Sequence, residues 1–289
     1  WRVTSGNVWS QLSFAYVNSG TYFTRAGSPT TFRLEISSYT LTGYLSGVSI
    51  VSAVDSWVGS GTGEAGFVRR QAPVGYADIV RADSPAAYWR LGESSGSLIA
   101  DWLGGTFVAS AQTTGTTQGC GGLLDNDNDR SVAFTGSDGR VLTSTNPLNT
   151  AAALTLEAWI FTTTQPATPG SIYARFNQSN LAGYYLRVNS GGVIQFTQGS
   201  QINQLSTASV FTTNTRFYVV ATWEGSFQNI WVNATLVASQ GQTAPMCGNI
   251  GVAGGAAIGN NPAGAFQNFS GRIDEVAIYP TALSSARIF

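Results

Sequence analysis

Apolar and polar positions alternate along almost the whole chain. Runs of four to eight residues rich in Val, Ile, Leu, Phe, Tyr and Trp recur between Gly, Asn, Ser and Pro, the pattern of short strands separated by turns. No stretch sustains a helical period with caps; only Ala282-Leu-Ser-Ser-Ala-Arg-Ile288 suggests a short helical turn. Such a pattern predicts an all-β protein, an antiparallel sandwich or jelly roll.

One stretch interrupts the alternation. Between Gly271, which opens a strand, and Pro280, which stops it, the apolar positions are Ile273, Val276 and Ile278, with Asp274 and Glu275 set between them. A side-chain period of two sends Asp274 and Glu275 to opposite faces. One of them then faces an apolar interior or its edge, where a carboxylate must be paired, hydrogen-bonded or metal-bound.

The chain also resembles itself. Phe32 to Ser52 reads strand, turn, strand, turn, strand, and Arg216 to Ser239 repeats that plan, with Tyr44-Leu-Ser-Gly-Val matching Trp231-Val-Asn-Ala-Thr. Asn233-Ala234 is an unusual turn pair, since Asn-Gly meets a positive φ more easily. The second copy has a long sequence before it and the first has little. The expected organisation is the C-terminal half of one jelly roll at residues 1–69, a linker at 70–82 marked by Pro73 and Gly75, and a whole jelly roll at 83–289. Because the chain starts at Trp1, already in a strand pattern, a segment of a longer protein is expected.

Composition narrows the function classes. Charged residues make up 10% of the chain, against ~25% in an ordinary domain. The net charge of −1 gives no electrostatic footprint for nucleic acid or an anionic membrane. No apolar run is long enough to span a bilayer. A surface polar in Ser, Thr, Asn and Gln suits extracellular, fibrous or sugar-binding β proteins. With no His, a His-dependent triad or a His-based metal hydrolase is excluded. Cys120 and Cys247 lack metal spacing; a bridge between them would close a long loop and stabilise by a few kcal/mol, the alternative being two free thiols.

Several segments together resemble the laminin-G-like, concanavalin A-like jelly rolls of the third LamG type. They are Asp83-Ser-Pro-Ala-Ala-Tyr-Trp-Arg-Leu-Gly-Glu93, Ser131-Val-Ala-Phe-Thr-Gly136, Leu154-Thr-Leu-Glu-Ala-Trp-Ile160, Phe217 to Ser239, Ala257-Ile-Gly259 and the stretch around Asp274. Ala234 departs from the family, which usually has Gly there. The opening Tyr76 to Glu93 is similar to modules of tailed-bacteriophage minor tail proteins and fibres. The resemblance implies a non-enzymatic structural or adhesive component of a virion tail, extracellular and homo-oligomeric, in contact with other virion subunits and with host surface carbohydrate. The alternatives are a carbohydrate-binding module of a secreted bacterial protein and a divergent glycoside hydrolase.

The resemblance also points to chemistry. Related glycosidases need two carboxylates on one strand face, whereas Leu154 to Ile160 carries only Glu157, so no catalytic residue is expected. Family members commonly hold a structural Ca²⁺ between the first loop and the last strand. The matching ligands are Asp101, beside Gly104 and Gly105, and Asp274. The alternative is a salt bridge from Asp274 or Glu275 to Arg272, Arg90 or Arg140. Asp125-Asn-Asp-Asn-Asp-Arg130 mimics a Ca²⁺ loop but lacks its Gly and its final acid, and reads as a solvated turn. Stacking rings for a sugar are sought among Trp102, Phe107, Tyr173, Tyr184, Tyr185, Phe266 and Phe269, with Trp102, Tyr184 and Phe266 taken as the sugar site. Tyr88, Trp89, Trp159, Phe217, Trp223 and Trp231 are assigned to the core.

Overall fold

A computed structural model describes residues 75–288, except 106, 113, 126, 144, 146, 149–151, 178–181, 201–203, 242–254 and 263–266, together with the backbone of five strands before residue 55. The chain divides into two units, Trp1–Ala72 and Pro73–Phe289. In the first, β1 (Arg2–Thr4) pairs with β2 (Val8–Ser10), and β3 (Phe32–Ser37), β4 (Thr40–Leu45) and β5 (Val48–Val54) form an antiparallel meander.

The second unit opens with α1 (Tyr76–Ala82), inside the segment the sequence pattern assigns to a linker. Short strands follow: β6 (Ala87–Trp89), β7 (Leu98–Ile99), β8 (Ala109–Ala111), β9 (Thr116–Gly121), β10 (Arg130–Thr135) and β11 (Val141–Thr143). Longer ones come next: β12 (Leu154–Phe161), β13 (Gly170–Asn177), β14 (Ala182–Asn189), β15 (Val193–Ser200) and β16 (Gln204–Ser209). The chain then runs through β17 (Arg216–Trp223), β18 (Phe227–Val232), β19 (Thr235–Gly241), β20 (Ala257–Ile258) and β21 (Ser270–Tyr279) to α2 (Ser285–Ile288), the helical turn the sequence suggests.

Two antiparallel sheets result. One has the order β19-β18-β17-β12-β21-β10-β9, with β6 pairing the second half of β21; the other has the order β16-β15-β14-β13-β20-β11-β8-β7. Alternate residues of both inner faces meet in one core. Leu154, Leu156, Ala158 and Ile160 of β12 and Ile273, Val276 and Ile278 of β21 face Tyr184, Leu186 and Val188 of β14 and Ile194 and Phe196 of β15. Trp89 stacks on Tyr173 in this core, with ring centroids 6.1 Å apart.

The outer face of the first sheet is also covered. Tyr76, Ala77 and Val80 of α1 pack with Tyr88, Ala277, Tyr279 and Leu283, and Ile288 of α2 packs with Tyr218 and Val220. The assignment of Tyr88, Trp159 and Trp231 to the sandwich interior is therefore corrected: they lie in these outer clusters, while Trp89, Phe217 and Trp223 are in the core. Strand parity explains it, because Trp159 shares the face of Glu157 rather than that of Ile160. Helix α1 escaped the sequence reading because its seven residues bury Val80 alone, too few to show a period.

The two copies of the three-strand plan share a defect. In β18, pairing slips between Ile230 and Trp231, skipping Val237 of β19; in β4 it slips between Gly43 and Tyr44, skipping Ile50 of β5. The bulges fall at the positions that the internal match Tyr44–Trp231 aligns. The turn Asn233-Ala234 takes φ of 47° and 65°, positive at both residues as a two-residue hairpin of this twist requires. An L-residue with a Cβ is strained there. Ala234→Gly is expected to stabilise the unit by about 0.5–1 kcal/mol, read as a higher urea midpoint at unchanged slope. A lower midpoint would show that the Ala234 methyl contributes more by packing than it costs in strain.

Candidate functional site

Strand β21 carries the first of three polar sites. Glu157 of β12 opposes Ala277 and Trp159 opposes Asp274, so Ala158 faces two residues, Glu275 and Val276. That is a bulge, and Glu275 takes φ of 53° within it. The bulge turns Asp274 and Glu275 to the same side, which corrects the expectation of opposite faces. Both are buried. Oxygens of Asp274, Glu275 and Asp129 lie within 4.8 Å of one another.

A single guanidinium serves this cluster. Arg90 donates from Nε and Nη2 to Glu275 Oε1 at 3.0 and 2.9 Å, and from Nη2 to Asp127 Oδ2 at 2.7 Å. Its Nε also lies 2.8 Å from Asp129 Oδ2, at an angle that makes an ion pair rather than a hydrogen bond. The Tyr88 hydroxyl donates to Glu275 Oε2. Asp274 Oδ2 accepts the Leu123 N–H at 2.8 Å, while Asp274 Oδ1 is buried with no partner. Burial raises the Asp274 carboxyl to about 8 and the Glu275 carboxyl to about 7, and it raises Asp129 as well. The Asp125–Arg130 turn is thus not simply solvated: Asp127 and Asp129 face Arg90, and Asp125 pairs with Arg216 at 2.8 Å.

These residues fit a cation. Three carboxylates meet one arginine, a fourth, Asp274, lies beside them, and its buried Oδ1 lacks a partner. The backbone is drawn in around them. A Cβ on Gly92 would stand 1.8 Å from Asp129 Oδ1, and one on Gly122 would stand 3.7 Å from Asp274 Oδ2. Asp101 has another role, which corrects its assignment beside Asp274. Its carboxylate accepts the N–H groups of Tyr88, Leu103 and Phe107 at 3.3, 3.1 and 3.4 Å. Three N–H dipoles satisfy that charge and compete with a metal.

The second site surrounds Glu157, buried between the first sheet and its helices. Tyr218 on β17 donates to Oε2 at 2.5 Å, Tyr279 on β21 donates to Oε1, and Arg287 Nη2 lies 3.3 Å from Oε1. Arg287 Nε in turn bonds Asp83. Burial raises the Glu157 carboxyl despite Arg287 and both tyrosines, which act to lower it. Glu157 is accordingly on the outer face and hydrogen-bonded.

The third site is on the outer face of β14–β16. Cross-strand register places Arg187, Gln195 and Ser206 in one row and Tyr185, Thr197 and Gln204 in the next. The rows are knitted together. Arg187 Nε donates to Gln195 Oε1 at 2.8 Å, Gln195 Nε2 to Ser206 Oγ at 3.1 Å, Gln204 Nε2 to Ser206 Oγ at 3.1 Å, and Tyr185 OH to Gln204 Oε1 at 3.3 Å. The Arg187 guanidinium lies over the Tyr185 ring, 4.5 Å from its centroid.

Of the sequence-based sugar residues, neither Trp102 nor Tyr184 belongs to this cluster. Tyr184 is corrected: it is wholly buried in β14, stacked on Tyr173, and donates to the Leu148 carbonyl, because its parity turns it inward. Trp102 is 49% exposed, with the Arg90 guanidinium 5.2 Å from its ring centroid. Phe266 and Cys247 lie outside the described residues, and so does the pairing of the two cysteines. Among the described rings proposed for stacking, Tyr185 lies on the outer side of β14, buried beneath its polar neighbours. Arg187, Gln195, Gln204 and Ser206 were missed, although the whole run from Ala158 to Trp223 contains arginines and no acid.

The fold and its polar sites define a concanavalin A-like jelly-roll sandwich. The chain belongs to the Laminin_G_3 family of the concanavalin A-like lectin/glucanases superfamily, whose model matches residues 135–289. No curated protein matches it in sequence. Among solved structures it is similar to the ligand-binding domain of botulinum neurotoxin serotype D in complex with N-acetylneuraminic acid, at TM-score 0.52 and 14% identity over 73% of this chain and 51% of that one. It is also similar to the Trypanosoma rangeli sialidase in complex with 2,3-difluorosialic acid, at TM-score 0.50 and 15% identity over 70% of this chain and 32% of that one. The chain spans about half the length of the neurotoxin domain and a third of the sialidase, and at these identities the likeness is one of fold.

Proposed function

We propose that this chain is a glycan-binding, adhesive module that acts by binding rather than by catalysis. The observation that carries this reading is the outer face of β14–β16, where Arg187, Gln195, Gln204 and Ser206 form a knitted polar cluster over the buried ring of Tyr185. Amides, a hydroxyl and a guanidinium match the hydroxyls of a sugar. The reading gains support from the lectin-like fold and from neighbours whose structures hold sialic acid or its analogue. The carboxylates that hydrolysis would need, Glu157, Asp274 and Glu275, are each 0–1% exposed and engaged in internal networks.

The resemblance of Asp83 to Leu91 to phage tail modules, and the internal repeat of a jelly-roll plan, favour a minor tail or fibre component of a virion. Its partners would be other virion subunits, further copies of itself and a host surface glycan. In the same reading Asp129, Asp274 and Glu275 hold a structural Ca²⁺, which neutralises the excess of carboxylates and ties β21 to the turn before β10.

Binding to arrayed bacterial envelope glycans tests the proposal. The native chain should be retained. Replacing Gln195 and Gln204 together by Ala should weaken retention roughly tenfold, the loss of two neutral hydrogen-bonding groups. Failure to retain any glycan would refute the adhesive reading.

A further inference from the structure

Among the described residues, the arginines of the second unit fall into those that meet acids and those, such as Arg130, Arg272 and Arg187, that do not; Arg130 and Arg272 donate to the carbonyls of Gly119 and Gly121. Arg90 meets Asp127, Asp129 and Glu275; Arg287 meets Asp83 and Glu157; Arg216 meets Asp125; Arg140 lies near Asp138. Arg187 has no carboxylate partner among the described residues. Nor is an acid hidden nearby in sequence: every Asp and Glu between residues 75 and 288 is described, and none falls between Ala158 and Trp223. The positive charge of Arg187 therefore has no acid beside it among the described residues.

The surroundings of Arg187 hold it as a receptor would. Its Nε is used on Gln195 Oε1 at 2.8 Å, and Gln195 is anchored in turn by Ser206 at 3.1 Å. Its plane rests over Tyr185, whose hydroxyl is tied to Gln204 at 3.3 Å. The head group is thus fixed by one nitrogen and one face. Neither Nη has a hydrogen-bond partner among the described residues, and the side chain is half-buried. Burial also lowers the arginine from its ordinary value, the mark of a charge that an anion would relieve. Two parallel Nη donors match the two oxygens of a carboxylate, a geometry that lysine cannot reproduce.

We infer that the outer face of β14–β16 selects sugars bearing a carboxylate, which Arg187 receives end-on while Gln195, Gln204 and Ser206 engage neighbouring hydroxyls. This deepens the glycan-binding reading and rests on it.

The test titrates the whole chain with oligosaccharides ending in N-acetylneuraminic acid or glucuronic acid, and with the same oligosaccharides after reduction of the carboxyl to an alcohol. The acidic forms should bind at least tenfold more tightly, and more weakly as salt is raised. Arg187→Gln should remove that preference, weakening the binding of the acidic sugars at least tenfold more than that of the reduced ones. Arg187→Lys, which keeps the charge without the fork, should fall between. Near-UV circular dichroism checks that the variants keep their packing; if Arg187→Gln does not fold, Gln195→Met, which removes the acceptor that aims Arg187, should lower the same preference. Equal binding of acidic and reduced sugars, or acidic binding indifferent to both substitutions, overturns the inference and leaves the glycan-binding reading standing. If the native chain binds neither form, both fall.

Discussion

In EDTA the chain is expected to lose stability as the pH rises from about 5 to 8, and Ca²⁺ is expected to abolish that loss. The sign follows from burial. Asp274 is raised to about 8 and Glu275 to about 7, well above the ordinary carboxylate value, so in this interval the folded protein holds protons that the unfolded chain has released. Stability falls with pH wherever the fold binds more protons. For Asp274 alone the loss between pH 4 and pH 8 is up to ~5 kcal/mol. A bound cation favours the ionised carboxylates and reverses the preference, adding stability in proportion to the logarithm of its concentration over its dissociation constant. Thermal melts across this pH range, with EDTA or with millimolar Ca²⁺, provide the measurement. Asp274→Asn should flatten the EDTA profile and remove the response to Ca²⁺. A native melt that neither declines with pH in EDTA nor rises with Ca²⁺ would sink the metal site. A decline that Ca²⁺ leaves untouched would mean that Asp274 is a carboxyl kept neutral by burial.

Arg287→Met should destabilise the second unit by ~3–5 kcal/mol, because it leaves Glu157 buried without its cation. Glu157 then retains only the hydroxyls of Tyr218 and Tyr279. Asp83, at the end of α1, loses its partner too. Adding Glu157→Gln should recover much of the loss, since an amide removes the buried charge while still accepting from both tyrosines. Chemical denaturation of the single and double variants yields the coupling between the two residues. If the losses simply add, Arg287 acts by packing alone. The same cycle bears on the glycosidase alternative. A catalytic Glu157 would need access to substrate, whereas this network joins α1, β12, β17, β21 and α2 into one sealed layer.

The interrupted pattern of β21 shows how far the sequence could be read. Ile273, Val276 and Ile278 are the positions that enter the core, and all three are legible as apolar. Their spacing of three and then two already encodes the bulge, but a uniform period of two carried across it separates Asp274 from Glu275. The sequence leaves Arg90, Arg140 and Arg272 open as partners of the β21 carboxylates, and only the fold selects Arg90 for Glu275. Arg272 instead donates to the Gly121 carbonyl at 2.7 Å. Asp129 sits 145 residues before Asp274, in a turn whose spacing argued only against a calcium loop of known type. It reaches the cluster because β10 pairs with β21.

What the sequence determined by itself is the local part. Alternation, turn residues and the repeated three-strand plan give the strands, the sandwich class and the strained Asn233-Ala234 turn, since each depends on neighbours a few residues apart. The absence of His removes whole classes of chemistry in the same way. What only the tertiary structure decided is which side chains share a site. Arg187 and Ser206 meet through pairing across three strands, Glu157 is sealed by two helices from opposite ends of the unit, and Tyr184 and Tyr185, adjacent in sequence, go to opposite faces. Those outcomes are set by register and by which layer covers which face, and both are fixed by long-range packing rather than by any single segment.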